Sequence, residues 1–268
     1  MNGLSVNRAS VRQWELEELV VACVARGVEG VGLWRDDVET YGLERAAAIV
    51  HDAGMTVTSL CRGGFFTDPD VAARREDNRR AVDEAAALGT DVLILVSGGI
   101  QPGSKDLTGA REQVAEAIAD LAPYAGQHGV RLAIEALHPM FCSDRCVINT
   151  LDQALDIAEE HPVAQVGVVV DAYHQWWEPT LDAAIDRAGE RIVSFQVSDW
   201  VTPLPEGVLT GRGLMGDGCI PLRALREAVE KAGYTGPTEV EIFNDELWNR
   251  PGDEALDSII ERYRTHVI

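Results

Sequence analysis

The chain has 268 residues, 46% hydrophobic and 25% charged, a composition that excludes a disordered or low-complexity protein. Its 44 acidic residues against 23 basic ones give a formal charge of -21, a field that repels nucleic acid and anionic membrane surfaces. No leader pattern and no apolar run of membrane-spanning length is evident, so a cytoplasmic protein is expected. The five scattered cysteines argue against an extracellular disulfide framework.

Along the chain, short apolar runs predict strands at 4–6, 30–34, 56–61, 91–97, 131–137, 166–171, 192–199 and 238–243. Amphipathic helical patterns separate them, beginning with "VRQWELEELVVACVARG" and "LERAAAIVHDAG" and ending with "DEALDSIIERYRTH"; several close on a glycine, as helices do. Eight strand and helix pairs in strict alternation, without a Pro/Gly-rich linker, predict an α/β fold. The expected architecture is one domain over residues 1–268, a single-domain (β/α)8 TIM barrel. An open doubly wound sheet would carry a Gly-rich phosphate loop after its first strand, and "SVNRASVRQW" contains none.

In a barrel the active residues lie at the carboxyl ends of the strands. Strand two ends at "GLWRDD", where Trp34 offers an apolar face to a sugar ring or packs against helices. Strand three ends in "SLCRGGFF", where Arg62 is a clamp for a carboxylate, phosphate or polyol oxygen, or simply offsets the acidic field. Strand five, "RLAIEALHPMF", places Glu135 inside an aliphatic run, where an ionised carboxylate is costly without a partner. His138 follows as a substrate-contact candidate. With Cys142 and Cys146 it also forms a possible zinc set, although unpaired loop thiols suit that C-x3-C spacing better.

Strand six ends on Asp171, with His174 three residues later, in "VVVDAYHQWWEP"; His174 could bind the substrate or a metal. Trp177 in the same loop belongs to a ring of rim aromatics that could hold a sugar or aglycone, or pack in a homodimer. Strand seven carries Gln196, and strand eight Glu239 and Glu241. Carboxylates converging on one barrel mouth need a cation. Oxygen donors favour Mn²⁺, with Mg²⁺ or Co²⁺ also suitable and Zn²⁺ possible. The competing reading pairs such an acid with an arginine. The long segment "VTPLPEGVLTGRGLMGDG" (201–218) reads as a mobile loop carrying Arg212 towards the substrate.

The motifs "IEALHP", "VVDAYHQWW", "FQVSD", "GRGLMGDGCIPL" and "GYTGPTEVEIFN" together resemble the sugar isomerase and epimerase superfamily with the xylose isomerase-like TIM barrel. The likeness is greatest to the branch of ketose 3-epimerases, hydroxypyruvate isomerases and inosose dehydratases. The resemblance implies that Glu135, Asp171 and Glu241 are metal ligands. Gln196 takes a position where the family commonly has histidine, and His174 and Arg212 contact substrate oxygens. It further implies a divalent metal that stabilises an enediolate, with Glu135 and Glu241 as the acid and base pair acting on a sugar or keto-polyol. Proton return gives an epimer or an isomer, whereas loss of a β-substituent would make the enzyme a lyase. A non-catalytic metal- and sugar-binding subunit is the reading from another class, and an opposed acid pair argues against it.

Overall fold

The computed structural model describes residues 3–268. Among these, eight parallel strands close into a barrel: β1 (Leu4–Asn7), β2 (Gly30–Trp34), β3 (Thr56–Gly64), β4 (Val92–Val96), β5 (Arg131–Glu135), β6 (Val166–Asp171), β7 (Ile192–Val197) and β8 (Thr238–Val240). Each strand pairs with its chain neighbours, and β8 closes the ring on β1. Helices cover the outside, and their buried positions follow helical spacing: in the helix Leu151–Ala158 these are Leu151, Ala154, Leu155 and Ala158. Local capping sets the helix starts. Thr150 accepts from the Gln153 N–H at 3.2 Å, and Asp70 accepts from the Ala73 N–H at 3.0 Å.

Outward-facing strand residues such as Val31, Leu33, Leu95 and Ile134 join the helix faces in the main core. Inward-facing residues divide the interior of the barrel in two. Cys61, Val92, Ile94, Ala133, Val169 and Val193 make an apolar half. Ser5, Asn7, Ser59, Gln196 and Glu239 make a polar half in which the side chains bond one another, directly or through Thr58. The polar half sits beneath the strand ends that were expected to carry the chemistry.

The strands depart from expectation mainly at the active end. β3 runs on to Gly64 through a bulge between Cys61 and Gly63. β5 stops at Glu135 and β8 at Val240, because beyond them the backbone bonds elsewhere, Leu137 N–H to the Ile148 carbonyl for instance. A helix over Arg35–Tyr41 follows β2 where no element was predicted. The segment 201–218 is pinned rather than free at its ends: Asp199–Trp200 pairs antiparallel with Arg212–Gly213. Among the described residues no helix is long and apolar enough to cross a membrane, and the five cysteines are free.

Candidate active site

Glu135 is the last residue of β5 and shares the inward face of Ala133. Asp171 ends β6. Its Oδ1 accepts from the N–H groups of Tyr173 (2.7 Å) and His174 (3.4 Å), capping a short helix, Ala172–Gln175, that turns His174 back over the barrel. Ligand atoms of Glu135, Asp171 and His174 therefore lie within 4.8 Å of one another, all buried. The second Asp171 oxygen, Oδ2, has no hydrogen-bond partner.

Strand register sets Asp171 beside Gln196, and Gln196 beside Glu239. Gln196 Nε2 donates to Glu239 Oε1 at 3.2 Å. Glu239 also accepts from Asn7 Nδ2 (2.7 Å), Thr58 Oγ1 (2.8 Å) and Ser59 Oγ (2.9 Å), so every neighbour is a donor. Gly32 makes the space, since a Cβ there would lie 2.5 Å from Glu239 Oε1. With its nitrogen committed to Glu239, Gln196 keeps its Oε1 buried and without a partner.

Glu241 has a different neighbour. Arg212 Nη1 lies 2.9 Å from its Oε2 and 3.7 Å from Asp171 Oδ2, while Arg212 Nη2 is 3.1 Å from His174 Nε2. The arginine-paired reading of a strand acid therefore holds for Glu241. The antiparallel ribbon delivers Arg212 to this position. Asp199 anchors the ribbon by accepting from the N–H groups of Trp200 (2.8 Å), Gly216 (2.8 Å), Gly218 (3.0 Å) and Ile220 (3.0 Å).

Burial pushes the Glu135 carboxyl well above its usual range, and the charges of Glu241 and Asp171 add to it. Burial also raises Asp171, with Arg212 opposing, and lifts Glu241 to about 7. His174 is held well below the usual imidazole range by burial, then by Arg212 and His138, and is neutral. Glu135, Asp171 with its orphaned Oδ2, and the neutral imidazole of His174 form a donor set that fits a divalent cation; Glu241, held by Arg212, lies outside that close group, and Gln196 on the neighbouring strand keeps a buried, unpartnered Oε1. The cysteines do not join it: Cys146 is buried, with its Sγ 3.1 Å from both Ser97 Oγ and the Ile148 carbonyl.

A cavity of about 240 Å³ opens above this set, lined by Glu135, Glu241, His174, Arg212, Arg62 and Trp34 among others. Asp171 and Gln196 are not on the lining; Asp171 lies against Arg212, and Gln196 stands beside Asp171. His138 and Trp177 are not on it either. The His138 N–H donates to His174 Nδ1 at 3.3 Å, and Trp177 Nε1 donates to the His174 carbonyl at 2.8 Å, so both brace His174 from behind. Arg12 lines the cavity without having been anticipated; its position after β1, at a carboxyl end, was the available signal.

Residues 20–266 match the family described as Xylose isomerase-like TIM barrel. The chain belongs to that family. Within it, an inosose isomerase of Bacillus velezensis is 27% identical over 208 residues, 74% of this chain and 70% of that protein. A 3-dehydroshikimate dehydratase of Pseudomonas aeruginosa is 28% identical over 275 residues, 94% of this chain but 41% of its own length. The crystal structure of a Sinorhizobium meliloti 1021 protein superposes with a TM-score of 0.96 at 47% identity, covering 99% of this chain and 98% of that one. The IolI protein, solved with a binding zinc atom, shares the xylose isomerase-like barrel at a TM-score of 0.83 and 20% identity over 99% and 98% of the two chains.

Proposed function

We propose that the protein is a divalent-metal-dependent isomerase or epimerase of a sugar or keto-polyol, working by proton transfer next to a carbonyl. The observation that carries this reading is the pair Glu135 and Glu241. Both are buried, both are raised in pKa, and both line one cavity, with Asp171 and His174 close to Glu135. A raised pKa makes the ionised carboxylate a stronger base and the protonated one an acid still present near neutral pH.

Glu135 and Asp171, with His174 within reach of both, would hold the metal, and Gln196 through Oε1 and Glu241 would complete the set. A bound divalent ion supplies Lewis-acid polarisation of substrate oxygens. The all-oxygen part of the set favours Mn²⁺; the zinc bound by the IolI protein makes Zn²⁺ the alternative to test. One carboxylate takes the proton beside the carbonyl, and the other returns it. Return to the opposite face of the same carbon gives an epimer, and return to the adjacent carbon gives an isomer. Neutral His174, braced by His138 and Trp177, and Arg212 orient substrate oxygens.

The dehydratase relative supports a second reading, elimination of a β-substituent after the same proton removal. Both are tested by incubating ketoses, keto-inositols and 3-oxo glycosides in D₂O with Mn²⁺ or with chelator, followed by NMR. Metal-dependent deuterium at the carbon beside the carbonyl is expected. A new alkene signal or a released aglycone would select the lyase, and absence of exchange throughout would sink both.

A further inference from the structure

The cavity carries positive charge that its own carboxylates do not use. Arg212 is engaged by Glu241 and Asp171. Arg62 and Arg12 line the same space, and among the described residues neither makes an ion pair. Nearby arginines contrast with them: Arg35 is paired with Asp77 and Glu84, and Arg8 with Asp37.

Arg62 is partly buried, and its guanidinium stacks 3.9 Å from the Phe65 ring centroid with no hydrogen-bond acceptor for its N–H groups. Arg12 lies over the rings of Phe243 and Trp248, 5.1 and 5.0 Å from their centroids. A fixed, partly desolvated guanidinium of this kind matches two oxygens of a planar anion. A phosphate would be better served by backbone N–H groups, and those beside Arg62 are already taken. Gly64 N–H bonds Asn78 Oδ1 (2.6 Å), Phe65 N–H the Val96 carbonyl (2.7 Å) and Phe66 N–H the Ser97 carbonyl (2.9 Å).

We propose that the substrate is a hydroxy-keto acid whose carboxylate docks on Arg62, with Arg12 at the opening, while its carbonyl end faces Glu135 and Glu241. This deepens the enolising reading above and rests on it for the second half of the statement.

The test titrates chelator-treated protein by calorimetry with three probes sharing one hydroxy-ketone frame: hydroxypyruvate, dihydroxyacetone and dihydroxyacetone phosphate. Hydroxypyruvate is expected to bind about ten-fold or more tighter than dihydroxyacetone, the value of one charge-assisted hydrogen-bonded pair. Arg62→Gln should erase that preference, and Arg12→Gln, at an exposed site, should reduce it without affecting folding. Equal binding of the first two probes, tighter binding of the phosphate, no binding of any probe, or an unchanged preference in both variants would overturn the proposal. Deuterium exchange on the same probes with Mn²⁺ reports on the chemistry separately. A carboxylate preference without exchange would sink the enolising reading and leave the anion site standing.

Discussion

Gln196 and Glu239 stand side by side on neighbouring strands, and the amide nitrogen of the first donates to the carboxylate of the second at 3.2 Å. Glu239 thereby decides which end of the amide faces the candidate metal site. Glu239→Gln removes that decision, since an amide at 239 can donate as well as accept. Metal affinity should fall about ten-fold or more, as when other residues that orient ligands are changed. Calorimetric titration with Mn²⁺ measures it, and an unchanged affinity would mean that Gln196 is not a ligand.

Gln196→His approaches the same pair from the other side. An imidazole can donate one N–H to Glu239 and present its other nitrogen to the ion, so binding should survive and the preference should move towards Zn²⁺. Competition between Zn²⁺ and Mn²⁺ reads the shift, and no movement in either affinity or preference would count against Gln196 as a ligand.

Glu241→Gln keeps the shape of the side chain and removes its charge and basicity. Turnover should drop by about 10²-fold or more while the barrel stays folded. Steady-state kinetics beside a circular dichroism melt separates the two effects. Retained turnover would remove Glu241 from the mechanism.

Arg212 is the one guanidinium bonded to a carboxylate of the set, through Glu241 Oε2, with Asp171 Oδ2 also near. Arg212→Met should therefore destabilise chelated protein by roughly 3 kcal/mol, the cost of stripping one partner from a buried charge pair. Added Mn²⁺ should restore much of the loss, because the ion supplies the missing positive charge. A melting temperature indifferent to metal in this variant would separate the ion from these carboxylates.

Glu178 gives a pH signature away from the chemistry. It is buried, bonded through both oxygens to the Leu151 N–H at 3.1 Å, and burial pushes its carboxyl from 4.5 up to about 7. The folded form thus keeps its proton to higher pH than the unfolded form. Below pH 4.5 the group is neutral in both states and costs nothing. As pH climbs from 4.5 to about 7 the unfolded state ionises first and stability declines, by roughly 3 kcal/mol at the limit, and then levels off. Glu178→Gln should raise the melting temperature at pH 8 and leave it nearly unchanged at pH 4.5. Equal shifts at both would show that the carboxyl is not strained.

The barrel was legible because its period is repetitive: every strand run and every helical pattern contributes the same signal. Glu135 and Asp171 stood out because a carboxylate within an aliphatic run, or ending one, has no cheap structural explanation. What sequence could not supply were contacts between distant loops. Arg212 reaches Glu241 across a segment of low pattern, and nothing local to either residue announces the pair. In sequence Glu239 showed only as a second acid on strand eight. Its actual place, surrounded by donors from β1, β3 and β7, follows from barrel closure, which joins residues at opposite ends of the chain. The helix Arg35–Tyr41 escaped because it is short and shows one buried side chain, Val38.

The ribbon that carries Arg212 is clamped twice: by Asp199 through four backbone amides, and by Asn244, whose side chain holds the Arg212 carbonyl at 2.7 Å. The stretch between Trp200 and Arg212 is tied at a few points, the Val208 carbonyl accepting from the Tyr173 hydroxyl at 3.2 Å and the Thr210 hydroxyl donating to Asp245 Oδ2 at 2.6 Å, and Leu209 and Thr210 reach the cavity wall. It is a rim held apart from the acids beneath it. Exchanging Leu209 or Thr210 would reshape the cavity wall without replacing either acid, which makes this stretch the natural place for specificity to diverge or be redesigned.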